Sequence, residues 1–245
     1  MHVYYRFSDG QQAAPSGQPQ KKARPDGFNK RSLLINFLSS ATCPVTILAD
    51  NVTDETFEML EMLQRQHREQ IKIEVKRCFL KSGALSFLFA VDLALNNDTI
   101  GDDDAVYLVE DDYAHKPDWQ LYLEEGLQLA DYATLYDHPD KFVMGPNPQV
   151  RRFTNHGSGE STVVFLSPNS HWKLTNSTTM TFAVSKRILR QDRATYQRFC
   201  ETGYPFDYQM FVELLSTSHG RMLVSSIPGR SCHEDVGNET PLWSR

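Results

Sequence analysis

Apolar positions in the first 110 residues alternate between two periods, and each switch marks an element. Residues 2–7 form a short run that reads as a first strand, and residues 8–27 are polar and rich in Gly and Pro, which predicts a long, mobile loop able to bury little. Residues 31–39, apolar at 33, 34, 35, 37 and 38, predict a buried helix; residues 45–49 predict a strand ending on Asp50 and Asn51. Thr53 or Asp54 then caps an amphipathic helix through residue 70, with Phe57, Leu60 and Leu63 at helical spacing and Glu55 in the first turn. A strand at 71–75, a largely buried helix at 80–95 with Gly83 near its start, and an apolar strand at 105–109 follow. Repeated strand–helix–strand units predict an α/β fold with a Rossmann-like, mostly parallel central sheet flanked by helices.

The pattern then loosens. Helices are predicted at 118–129, 186–200 and 206–216, and strands at 133–136, 178–184 and 223–227, the last before a Pro228-Gly229 turn. Residues 144–170, rich in Gly, Pro, Asn and Ser, predict loops or an irregular hairpin. No internal repeat is visible, so one domain over residues 1–245 is expected, with an irregular C-terminal half.

Composition narrows the function. With 40% hydrophobic and 23% charged residues, disordered, collagen-like and coiled-coil classes are excluded. The net charge of −6 counts against a broad nucleic-acid surface, which needs clustered cations. Apolar runs such as 85–90 and 105–109 fall far short of the roughly 18 residues of a membrane span. Cys43, Cys78, Cys200 and Cys232 stand singly, which predicts free thiols rather than a zinc ribbon or a disulfide scaffold. With no apolar leader at the N-terminus, a cytoplasmic location is expected.

The sharpest chemical feature is the strand at 105–109 running into Glu110, Asp111 and Asp112. In open α/β sheets ligands bind outside the carboxyl ends of the strands, where these acids fall. Carboxylate oxygens suit Mg2+ or Mn2+, and such an ion commonly completes its shell with substrate phosphates, so a metal–diphosphate site is predicted. Solvated strand-end acids, or a cap on the next segment, are the plain alternative. A second acidic run, Asp102 to Asp104, lies at the other end of the strand, about 23 Å away, and reads as a solvated loop.

Several blocks carry a family resemblance: Tyr4-Tyr-Arg-Phe-Ser-Asp9, Ile47-Leu-Ala-Asp-Asn51, Leu108-Val-Glu-Asp-Asp-Tyr113, Thr134-Leu-Tyr-Asp-His-Pro-Asp-Lys141, His171-Trp-Lys173 ahead of a Thr-rich segment, and Ile227-Pro-Gly229 with His233-Glu234. In this order they resemble nucleotide-sugar glycosyltransferases of the GT-A fold, family-2-like, and more narrowly a set of small bacterial and chlorella-virus glycosyltransferases. The chain departs from the commonest family-2 pattern in its first strand, followed by the polar loop, and in Glu110, which stands where an Asp often begins the Asp-x-Asp motif.

The resemblance implies a UDP- or GDP-sugar donor, a glycan or glycolipid acceptor and a divalent cofactor, Mn2+ or Mg2+. It assigns residues 1–113 to the donor and 114–245 to the acceptor and catalysis. Nucleotide-sugar contacts would come from Tyr5, Arg6, Asp9, Asp50, Asn51, Lys81, Glu110 and Asp111, and metal ligation from Asp112 and His233. The sugar side would be Asp137, His138, His171, Trp172 and Lys173, although Trp172 equally suits a core and Asp137 with His138 an ordinary turn. Asp207, at the start of a helix, would be the base of an inverting reaction, with its pKa lowered by the helix dipole, or else a simple cap; Asp192 and Glu234 are the reserves. Two further classes remain: a sugar nucleotidyltransferase, for which no Gly-rich phosphate loop is visible, and a non-catalytic nucleotide- or sugar-binding module.

Overall fold

The computed structural model describes residues 1–10, 22–142, 160–216 and 218–244; parts of both predicted loops, 11–21 and 143–159, lie outside the described residues. In chain order the elements are β1 (His2–Ser8), α1 (Lys30–Leu38), β2 (Val45–Asp50), α2 (Asp54–His67), β3 (Ile73–Cys78), α3 (Gly83–Leu95), β4 (Ala105–Glu110), β5 (Tyr113–His115), α4 (Trp119–Leu129) and β6 (Tyr132–Thr134). A single 3-10 turn at Pro139–Lys141 follows, then β7 (Val164–Leu166), β8 (His171–Leu174), β9 (Phe182–Ser185), α5 (Lys186–Gln191), α6 (Arg193–Cys200), α7 (Asp207–Leu214), β10 (Leu223–Ile227) and β11 (Ser231–His233).

Nine strands form one mixed, mostly parallel sheet in the order β3-β2-β1-β4-β9-β6-β10-β8-β7. The first four are parallel and β10 runs parallel to β6, whereas β9 and β8 oppose their neighbours. β9 thus closes the centre of the sheet from a late point in the chain. β5 and β11 make a separate two-stranded ribbon that sets His233 opposite Tyr113.

Alternate side chains of β1 feed two cores, one on each face. Val3, Tyr5 and Phe7 pack with Leu34 and Phe37 of α1, Leu60 and Leu63 of α2 and Trp119 of α4. Tyr4 packs with Phe87 and Val91 of α3, Tyr196 of α6 and Phe211 of α7. Side-chain caps start two of the helices: Thr53 Oγ1 accepts from Thr56 N on α2, and Ser82 Oγ from Leu85 N on α3. The helix predicted over 186–200 breaks at Asp192, whose buried carboxylate accepts from Tyr132 Oη and from Arg221. Among the described residues no helix is long and apolar enough to cross a membrane.

Candidate active site

The carboxyl ends of β1, β2 and β4 open into a cleft. Seven expected residues line it together: Arg6, Asp50, Asn51, Lys81, Glu110, Asp111 and Asp112. Parallel strands in register explain the convergence, since Arg6 pairs with Glu110 across β1 and β4 and Ser8 with Asp50 across β1 and β2.

Each polar group here has defined work. Arg6 is buried, donates to the carbonyls of Gly83 (3.1 Å) and Met180 (3.0 Å), and lies 3.4 Å from Glu110 Oε1. Glu110 also accepts from Thr181 Oγ1 at 3.3 Å, which fixes its carboxylate at the strand end. Asp50 Oδ1 accepts from Leu80 N (2.7 Å) and Lys81 N (3.2 Å), so this buried carboxylate shapes the connection into α3 instead of capping its own segment. Asn51 (φ 53°) and Lys81 (φ 57°) both sit in the left-handed region at the rim, a conformation non-glycine residues hold only where their surroundings impose it.

Asp111 and Asp112 point to different partners. Asp111 Oδ2 accepts from Ser8 N (2.8 Å) and pairs with Lys30 Nζ (2.9 Å); burial and the charge of Asp112 raise its pKa against the pull of Lys30. Asp112 Oδ2 meets Lys22 Nζ (2.8 Å), Arg24 (3.0 Å) and His233 Nε2 (3.2 Å). Burial works to raise its pKa, but His233 and the two cations hold it well below the usual carboxylate range. The His233 ring is fixed by stacking on Tyr113, 4.8 Å between centroids and 5° between planes.

The residues present suit a divalent ion. Asp112 Oδ1 is buried and has no hydrogen-bond partner, while an imidazole nitrogen stands beside the other oxygen of the same carboxylate. Carboxylate and imidazole are apt donors for such an ion, which normally takes its remaining ligands from water and phosphate. Among the described residues no group of three or more His, Cys, Asp and Glu side chains is arranged to hold a metal by itself.

Asp207 opens α7, whose N-cap, Phe206, makes no side-chain cap bond. Its Oδ1 accepts from the adjacent Tyr208 N at 2.7 Å, so it is not a conventional cap. The expected lowering of its pKa by the helix dipole is reversed: burial, with the charge of Glu110 adding to it, pushes the carboxyl up to about 6. Tyr204 lies beside the same group, with its hydroxyl pKa raised by burial and by the Asp207 charge. The reserves do other work, since Asp192 is consumed by Tyr132 and Arg221, while Glu234 flanks a separate hollow with Trp243.

Four expected residues stand elsewhere. Tyr5 is fully buried with its ring 5.3 Å from that of Phe37, so its side chain belongs to the core. Asp9 is exposed and braces the start of α2, accepting from Thr53 N (2.7 Å) and Thr56 Oγ1 (2.8 Å). Trp172 is fully buried, donates Nε1–H to Ser167 Oγ (2.9 Å), and packs where only Gly126 leaves room: a Cβ there would come within 2.8 Å of the indole. A sugar cannot stack on that face. His171 is exposed at the start of β8, opposite Ile227.

The remaining sugar-side residues cluster past β6. Asp137 and Lys173 form a buried pair at 2.6 Å with the ammonium 4.1 Å from the centre of the Phe142 ring, and burial raises the Asp137 pKa against that lysine. His138 Nδ1 accepts from Asp140 N at 3.1 Å, and its ring meets Tyr136 edge-on. What the sequence reading missed is the cationic wall of the cleft, Lys22, Arg24 and Lys30. Its signal was the concentration of Lys and Arg at residues 21–31 of an acidic chain.

No family model matches the sequence, and no curated protein matches it. Solved structures do match by shape. Residues 1–349 of S. aureus TarS superpose with a TM-score of 0.50 at 14% identity, over 92% of this chain and 58% of that one. The structure of GalNAc-T7 with UDP, GalNAc and Mn2+ superposes with a TM-score of 0.55 at 11% identity, over 99% of this chain and 45% of that one. The chain therefore spans about half the length of these proteins, and it shares with them the GT-A fold.

Proposed function

We propose that this chain is a glycosyltransferase that moves a sugar from a UDP- or GDP-sugar to a hydroxyl of a glycan or glycolipid, with inversion and with Asp207 as the base. The observation that carries the reading is a carboxylate with its pKa pushed up to about 6 by burial and by the charge of Glu110, which lines a cleft with Asp112 and three cations on a GT-A sheet. Such a group is ionised at neutral pH yet basic enough to accept the proton of an attacking hydroxyl. Asp50, Asn51 and Lys81 form the rim suited to the nucleoside, while Lys30 and Arg6 hold Asp111 and Glu110 in place. Asp112 and His233 would hold a divalent ion, whose contribution when bound is to offset the charge developing on the leaving diphosphate. An in-line displacement needs no enzyme nucleophile, so positioning and one base suffice.

The deciding experiment is a screen of UDP-, GDP- and TDP-sugars for hydrolysis and binding, with Mn2+ and with chelator. Turnover or binding of one donor, dependent on Mn2+, supports the reading. Silence across that panel, or a preference for ATP or CTP with a sugar phosphate, overturns it.

A further inference from the structure

Residues 22–24 are clipped onto the far wall of the cleft. Val236 N donates to Ala23 O (2.7 Å) and Arg24 donates to the carbonyl of Glu234 (2.6 Å), so two hydrogen bonds hold this segment against the chain leaving β11. The clip delivers two cations to one carboxylate: Lys22 Nζ is 2.8 Å from Asp112 Oδ2 and 3.1 Å from His233 Nε2, and Arg24 is 3.0 Å from the same oxygen. These are the two side chains assigned above to a divalent ion.

The two occupants compete. A divalent ion held by Asp112 and His233 at about 2.1 Å would stand next to an ammonium already within hydrogen-bond distance of Asp112 Oδ2 and His233 Nε2, and would repel it. Removing the cations with nothing in their place would leave a buried carboxylate unpaired, which is costly. Together Lys22 and Arg24 carry the charge of one divalent ion, so exchange is electrically neutral at Asp112.

We propose that Lys22 and Arg24 are diphosphate-binding residues whose resting place is Asp112. They balance that carboxylate until the metal and the donor arrive, then move onto the diphosphate oxygens, leaving Asp112 and His233 to the ion. The inference rests on the donor and metal reading of the preceding subsection.

The test uses the full chain with Lys22→Ala, Arg24→Ala and Lys22→Gln, the last keeping length without charge. Titrations with Mn2+ alone, and with UDP and GDP at saturating Mn2+, are followed by calorimetry. Loss of a competing cation should tighten Mn2+ alone by about 3–10-fold, and loss of a charge-assisted phosphate contact should weaken the nucleotide by about 10-fold or more. These opposite signs are not produced by a merely structural role, which would weaken both. Unchanged or weaker Mn2+ binding in the variants, with normal nucleotide binding by the parent protein, overturns the exchange alone. So does nucleotide binding by the parent that persists undiminished in chelator and is lost in Lys22→Ala, since the lysine would then replace the ion permanently. Absence of nucleotide binding by the parent, with or without Mn2+, overturns the underlying reading as well.

Discussion

Asp207 at the start of α7 feels the charge of Glu110 at the end of β4, and burial together with that charge pushes the Asp207 carboxyl up to about 6. Base catalysis requires the ionised form, so kcat/KM should fall as the pH drops through about 6 and level off above it. Glu110→Gln should move that acid limb to lower pH, and Asp207→Asn should abolish it while cutting turnover by roughly 10²–10⁴-fold with donor binding unchanged. A pH–rate profile of the three proteins decides the matter. A full acid limb near 6 in Asp207→Asn would remove this residue from the role.

The same shift has a stability consequence with a defined sign. A carboxyl raised from 3.8 to about 6 binds more protons in the folded than in the unfolded chain between those values. Its contribution is therefore present below the lower value and is lost as the pH rises through the higher one. Asp207→Asn should flatten this part of the melting temperature–pH curve relative to the parent protein.

Asp112 is buried among Lys22, Arg24 and His233, which is not the solvated strand-end acid that the sequence left as the plain alternative. Asp112→Ala should abolish Mn2+-dependent nucleotide binding and also lower stability by about 1–3 kcal/mol, because two cations lose their shared partner. Asp103, paired with Arg187 at the surface, should leave both melting temperature and binding unchanged when replaced by Ala. Parallel melts and UDP or GDP titrations compare the two.

Trp172 and Gly126 make a stability prediction that separates core from sugar contact. Gly126→Ala places a Cβ 2.8 Å from both Ala133 Cβ and the indole, and should cost about 1–3 kcal/mol by overpacking. Trp172→Phe should lower the melting temperature while leaving acceptor KM unchanged. A raised KM with an unchanged melt would return Trp172 to the sugar side.

The four parallel strands and their helices were legible because β1, β2 and β4 are apolar runs and α2 has a clean helical period with a Thr cap. The acids at 110–112 were legible as a break in an apolar run, although Glu110 still belongs to β4 and Asp111 and Asp112 are buried by partners distant in sequence. Tyr5 and Trp172 were misassigned because an aromatic residue beside a polar motif looks the same whether it faces the ligand or the core; only the β1 register and the space left at Gly126 separate the two. The break at Asp192 could not be read either. Asp192 falls inside a helical period, and the Tyr132 and Arg221 side chains that hold its carboxylate are both distant in sequence. Lys22 and Arg24 were hidden in a polar stretch whose composition says loop, and their pairing with Asp112 is long-range.

The placement of β9 bears on how the chain acquires its shape. Phe182–Ser185 pairs with β4 on one side and β6 on the other, so among the described strands the β3-β2-β1-β4 group and the β6–β10 group are joined in the sheet by a segment made late. Until it arrives, β4 carries an open edge of Val106, Tyr107 and Leu108, apolar and fully buried in the finished sheet. An unpaired apolar edge is a template for association with other chains, and pairing of such sequence separation is slow. Fragments ending before residue 182 should therefore aggregate instead of yielding a free N-terminal half, and recombination of the two pieces should need both present during refolding.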